Sequence, residues 1–279
     1  MARQIFERAV ILSECKSTSV SRSVSNMVLT IHGVPLSQPV RAVVWPCLIK
    51  KVPFKFSLAV PGMSKGPGTA APKFRTKFPL GTVPSMEDGD VCLAEAPAIL
   101  AYLSRKFQWN DYYPEDIARR ARIDEYMHWH HSNTRAIAKP YFAAAVRPDI
   151  KMSAEAIEEE KGKAARSLET IENVFLGGGE GGGGAYFFGS SSGPSLADFV
   201  GYEEVAQVSG AFGQTLDLSP YPKTEQWLGT MRALPFHDEV HTALAALGPL
   251  DLTGGSTVKK LSGATKAGLA AIAEAQKAS

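Results

Sequence analysis

The chain has 279 residues, 44% hydrophobic and 21% charged, with 30 basic against 28 acidic side chains for a net charge of +2. That length exceeds the roughly 150 residues of a single domain, and the composition excludes collagen-like, wholly disordered and disulfide-scaffold proteins. A near-neutral balance with no basic block offers nothing to nucleic acid or to an anionic membrane.

The longest apolar run, Ala42 to Ile49, is interrupted by Pro46 and falls far short of the about 20 residues that a membrane span requires. Three cysteines, Cys15, Cys47 and Cys92, are too few and too scattered for a disulfide framework or a zinc quartet, and they fit a reducing compartment such as the cytoplasm.

Taken in chain order, residues 1–26 are serine-rich and carry four basic side chains against Glu7 and Glu14. That composition fits either an organelle transit peptide or a bland extension, so an organellar destination stays open beside the cytoplasmic one. Residues 27–107 are expected to form a small α/β domain. Met27 to Ile31 reads as a strand followed by a turn at His32-Gly33. A helix is expected from Gln38 to Lys50, with Ser37 at its N-cap and Pro39 in its first turn; Pro46 deletes one of its ladder bonds and predicts a kink. Phe54, Phe56 and Leu58 alternate as on a half-buried strand. Glu87-Asp88-Gly89-Asp90 signals a hairpin between Pro84–Glu87 and Val91–Leu93, and Glu95 to Phe107 has a helical stripe through Ile99, Leu100 and Leu103. The glycine- and proline-rich region from Pro61 to Pro72 yields no element.

A linker at 108–113 leads into an all-helical domain spanning 114–247. Asp116 to Ala138 reads as one helix stopped by Pro140, and Ser153 caps a second that reaches Phe175. Gly177 to Gly184, all glycine except Glu180, is a flexible loop, since no strand precedes it and no Lys-Ser/Thr follows it as a phosphate loop requires. Ser195-Leu196-Ala197-Asp198 is a capping box opening a third helix. Two shorter helices follow, near Lys223–Arg232 and Phe236–Leu247. The tail over 248–279 is expected to form at most a weak helix from Ala264 to Ala278 that adds little to the core.

Several segments, in order, resemble theta-class glutathione transferases: Pro35-Leu36-Ser37-Gln38-Pro39-Val40-Arg41-Ala42, Pro79 to Pro84, Leu93 to Leu103, Tyr113 to Asp116 with Ala121 to Tyr126, and Ser195 to Asp198. The resemblance covers residues 27–247. It implies a thioredoxin-like α/β N-terminal domain that binds glutathione, followed by an all-α helical bundle. It further implies a homodimer, with glutathione as co-substrate, a small electrophile as second substrate, and no metal or resident cofactor.

On this resemblance Ser37 is the catalytic hydroxyl. At a helix N-terminus it can donate to a sulfur whose negative charge the helix dipole favours; its plain alternative is an N-cap. Gln38, Thr82, Val83, Pro84, Glu95 and Ala96 take the glutathione-binding positions. Pro84 as a cis proline would leave the Val83 backbone free to pair with an extended peptide, and the helix start at Glu95-Ala96 would hold a carboxylate on its free N–H groups. His131 and Arg135 fall where the electrophile pocket is expected, with a solvated surface arginine as the alternative for Arg135.

Some positions depart from the pattern. Ala96 and Phe78 replace a hydroxyl residue and an asparagine, and Thr82 replaces a frequent lysine. No glycine-carboxylate ligand is identifiable beyond the guesses Lys65 and Lys73. A catalytically weak or inactive binding protein of the same fold is therefore the competing expectation. His128, His130 and His131 lie on different helical faces and suggest no metal site. His237 and His241 lack the adjacent glutamate of a zinc helix and are expected on a surface face. Cys47 is expected to be a buried structural thiol.

Overall fold

A computed structural model describes residues 28–143, 146, 152–177, 184–250 and 256–278. The 1–26 extension and the interior of the glycine run lie outside these residues. The N-terminal part is a four-stranded sheet, β1 (Thr30–Gly33), β2 (Lys55–Leu58), β3 (Ser85–Asp88) and β4 (Val91–Ala94), in the order β2-β1-β3-β4. β1 runs parallel to β2 and antiparallel to β3, and β3 and β4 form the expected hairpin, whose turn places Gly89 at φ 63°.

β1 starts later than the sequence suggested and runs through His32 and Gly33, so no turn lies there. Gly33 serves packing instead: a Cβ at this position would lie 2.5 Å from Val40 Cγ2. The missing side chain lets α1 (Gln38–Ile49) press against the strand. α1 passes through Pro46 as one uninterrupted helix. A six-residue helix, α2 (Pro72–Lys77), which the sequence reading lacks, begins on Pro72, and α3 (Ala96–Lys106) follows β4. The linker is no loose tether: Trp109, Tyr112 and Tyr113 are all buried.

In the helical part, α4 (Ile117–Trp129) is capped by Asp116, which accepts from the Arg119 N–H at 2.8 Å. The single helix expected to Ala138 is instead interrupted by a 3₁₀ turn at His130–Ser132 and by Asn133 at φ −123°, ψ −93°, before α5 (Thr134–Ala138). Asn133 donates its side-chain amide to the Trp129 carbonyl at 2.8 Å, a local bond that competes with the helical ladder. Pro140 does not end the segment, which continues as a π turn over Lys139–Ala143.

α6 (Ala154–Thr170) is capped by Ser153 as expected and runs into a π turn at Ile171–Phe175. α7 (Leu196–Ala206) is the central helix, buried along its whole length. Its Asp198 accepts from the Ser195 N–H at 2.7 Å, the Phe187 N–H at 2.8 Å and the Trp227 indole at 2.9 Å. α8 (Pro222–Arg232) and α9 (His237–Leu247) complete the bundle.

The two parts share one core. Trp45 of α1 is fully buried against Phe199 and Tyr202 of α7, with ring centroids at 5.3 and 5.2 Å, and its indole donates to the Pro235 carbonyl at 2.8 Å. Burying a tryptophan removes about 150–250 Å² from water, or about 4–6 kcal/mol at ~25 cal/mol per Å².

The tail corrects a further expectation. It forms α10 (Ser256–Ala278), a helix of 23 residues that packs on α9 and buries Ala264, Ile272 and Ala275. Gly268 sits so close to its neighbours that a Cβ would lie 2.7 Å from the Cβ atoms of both Ala243 and Pro35. The Gln276 amide donates to the Phe54 carbonyl ahead of β2.

Candidate functional site

Sheet register brings the expected site residues to one place. His32 pairs with Ser85, Ser85 with Ala94, and Gly33 with Leu58. The segments that leave β1, β2 and β4 and the one that enters β3 therefore all emerge at the same end of the sheet. Those segments are Val34–Ser37, the stretch from Ala59 onward, Glu95–Ala96 and Val83–Pro84.

Ser37 occupies the N-cap of α1 at φ −82°, ψ 121°, half-buried. Its N–H donates to Val34 O at 3.0 Å, and its carbonyl accepts from Val40 and Arg41 at 3.1 and 3.0 Å. Its hydroxyl makes no capping hydrogen bond. The hydroxyl thus stands at a helix N-terminus without serving the role that usually places serine there.

The Val83–Pro84 peptide is cis. Thr82 is exposed and its carbonyl accepts from the Ser85 hydroxyl at 2.9 Å, while the Val83 N–H and C=O take no part in the hydrogen bonds of this turn. Glu95, exposed at the N-cap of α3, holds φ 70°, ψ 119°, a region that side chains other than glycine's resist. Ala96 is 3% exposed. The amides of Ala96 and Ala98, in the first turn of α3, have no intrahelical partner.

The other candidates are less simply placed. Gln38 is buried, and its amide donates at 3.4 Å to the Glu204 carbonyl of α7, so it faces the helical domain. Lys65 and Lys73 are exposed, on the β2–α2 connection and on α2. Phe78 fills core space against Phe74 and His32, with centroids at 5.0 and 5.4 Å. His131 is exposed and its ring lies 4.1 Å from that of His130. Partial desolvation of its ring and the neighbouring His130 pull its pKa below the ordinary value against the opposing charges of Glu95 and Glu204. Glu95 and His131 line a common groove of about 310 Å³ between α3 and α4. Arg135 is exposed on α5 and lies outside that groove.

His237 and His241 are corrected: both are buried, not on a surface face. The His237 ring lies 2.6 Å from the Tyr202 hydroxyl, and His241 Nε2 is 3.0 Å from Glu203 Oε1. Burial, then the His241 charge, draws the His237 pKa down. The helix packs against Trp45, and its histidines find polar partners on α7 that the i, i+4 spacing alone does not reveal. Cys47 is buried and burial pushes its thiol far up, as suits a structural residue.

Sequence reasoning missed the polar groups that join the two parts. Arg41 is fully buried. Its Nε donates to Glu203 Oε2 at 2.6 Å, its Nη2 to Gln207 Oε1 at 2.7 Å and its Nη1 to the Pro35 carbonyl at 3.2 Å. Burial pushes the Glu203 carboxyl up, but the charges of Arg41 and His241 overcome this and hold it below the ordinary range. Beside it, Glu204 accepts from the Thr134 hydroxyl at 2.6 Å and pairs with His130 Nδ1 at 2.8 Å. The available signal was an arginine set between Val40 and the apolar run of α1, and a Glu-Glu pair deep in a helix whose other residues are mostly apolar.

A mixed sheet of this order, a cis proline ahead of β3 and a second part whose described elements are helices define the glutathione transferase fold. Residues 31–110 match the family described as glutathione S-transferase, N-terminal domain. Over 232 residues the chain is 33% identical to glutathione S-transferase T1 of Arabidopsis thaliana, a match covering 78% of this chain and 89% of that protein. It is 32% identical to T2 of the same plant, of whose length the match spans only 37%. Human glutathione transferase theta-2, solved in complex with glutathione, superposes with a TM-score of 0.70 and 27% identity over 88% of this chain and 98% of that one. The chain belongs to the glutathione transferase family and is theta-class-like.

Proposed function

We propose that the protein conjugates the glutathione thiolate to small electrophilic compounds, by displacement of halide or sulfate or by conjugate addition. The observation that carries this reading is the convergence, at one sheet end, of an uncommitted Ser37 hydroxyl, a free Val83 backbone and the open N-terminus of α3. Val83 would pair with the extended tripeptide as an added strand. The amides of Ala96 and Ala98 would take the γ-glutamyl carboxylate at the positive end of α3. The sulfur would then lie by Ser37, whose hydroxyl donates to the thiolate while the α1 dipole favours its charge. A free thiol with pKa near 8.5 needs such help to react at neutral pH. Glutathione is a co-substrate in this scheme, and the residues above call on no metal. His131 and Arg135 are proposed on the electrophile side, Arg135 to steady charge on a departing anion, and the working unit is proposed to be a homodimer.

A competing reading, a binding protein with the same fold and little activity, draws on Ala96, Phe78 and the commitment of Gln38 to Glu204. Retention on immobilised glutathione together with conjugation of a halogenated test substrate separates the two. Ser37→Ala is expected to keep glutathione affinity, to move the acid limb of kcat/KM to higher pH and to lower turnover about 10²–10³-fold. Earlier melting with unchanged turnover would reduce Ser37 to a helix cap. Folded wild-type protein that neither binds nor turns over glutathione would establish the competing reading.

A further inference from the structure

We infer that Arg41 is a positioning residue that fixes the Ser37 hydroxyl by holding the Pro35 carbonyl to the helical domain; this rests on the proposed glutathione chemistry. The turn carrying Ser37 has little of its own to define it, since one backbone bond, Ser37 N–H to Val34 O, closes it. A serine that must meet a sulfur needs its backbone set to a fraction of an ångström, and a displacement of about 1 Å costs as much as 10²-fold in rate.

Arg41 supplies the missing restraint. Its guanidinium is fully buried and its donors go to three partners, of which only one, Pro35 O at 3.2 Å, lies in the turn. Glu203 of α7 and Gln207 at its C-cap fix the plane of the fork at 2.6 and 2.7 Å. Glu203 is itself tied to α9 through His241 at 3.0 Å. From the other side Gly268 of α10 abuts the Pro35 ring. The turn is therefore aligned to the helical domain through a planar fork, and lysine, a point charge on a flexible stem, cannot reproduce it.

A plain interdomain clamp would need Glu203 and Gln207 but not the Pro35 carbonyl, and kinetics distinguish the two roles. Arg41→Lys keeps a charge opposite Glu203; it is expected to fold, to leave the KM for glutathione within about threefold, to lower kcat about 10–100-fold and to move the acid limb of kcat/KM upward. In a Ser37→Ala background the same change is expected to cost no more than about threefold, because residues acting as one unit are not additive.

An Arg41→Met/Glu203→Leu pair removes both charges, so neither is left stranded, and it is expected to show the same loss of kcat. The proposal is overturned by any of three results: wild-type turnover and pH profile in a folded Arg41→Lys protein, losses that multiply fully with Ser37→Ala, or failure of both the lysine variant and the double variant to fold. Wild-type protein without any turnover overturns the function reading and this inference together.

Discussion

Glu95 holds φ 70° at the start of α3, a conformation that costs a residue with a side chain about 1–3 kcal/mol and tends to be kept where a ligand is met. Glu95→Gly should therefore unfold at higher urea, by about 1 kcal/mol after glycine's entropy is subtracted, yet be retained less well on immobilised glutathione. Lower stability together with unaltered retention would separate Glu95 from the site. Its neighbour gives the converse test. Ala96 offers glutathione only a backbone N–H, and a hydroxyl donated to a carboxylate is worth about 1.5–3 kcal/mol. Ala96→Ser is expected to tighten glutathione binding about tenfold or more, as titration calorimetry would show.

Elements built on strong local signals were legible in the sequence, and those decided by tertiary contact were not. The β3–β4 hairpin, the Ser153 cap and the Ser195–Asp198 helix start follow from turn and cap chemistry, and the expected site segments reached one sheet end because the register places them there. α2 escaped notice because six residues begun by proline carry no period. The break at Asn133 depends on a side-chain bond to Trp129. α10 is hard to read from sequence because most of its described buried residues, Thr257, Ala264, Gly268 and Ala275, are small enough to look indifferent until the partner surface is known. Two glycines of α10 test that account. Gly263 has open space around it, so Gly263→Ala should stabilise the protein by about 0.5–1 kcal/mol. Gly268→Ala drives a methyl into Ala243 and Pro35 and should destabilise by about 1–3 kcal/mol, with turnover falling as the Pro35 turn shifts. Melting curves of the two variants moving in the same direction would count against this packing.

For the molecule as a whole, the seam between the two parts is ionic as well as apolar, and it carries a pH signature. The Glu203 carboxyl is held below its ordinary value in the folded protein. It contributes stability that is present above the unfolded value, about 4.3, and lost as pH falls through the folded one. Urea midpoints measured against pH should decline in that acid range, and Glu203→Gln, less stable throughout, should show a shallower decline; an identical slope would remove Glu203 from the linkage. The seam also has a consequence in time. Gln276 reaches back to Phe54 across 222 residues, and Gly268 closes on the turn that bears Ser37. On the ribosome, the sheet domain leaves the exit tunnel ahead of the helical one but stays without the support of α10 until that helix has been synthesised. Nascent chains stalled before residue 256 should therefore expose the Pro35 turn and the margin of β2 to protease, and chains released beyond residue 278 should protect both.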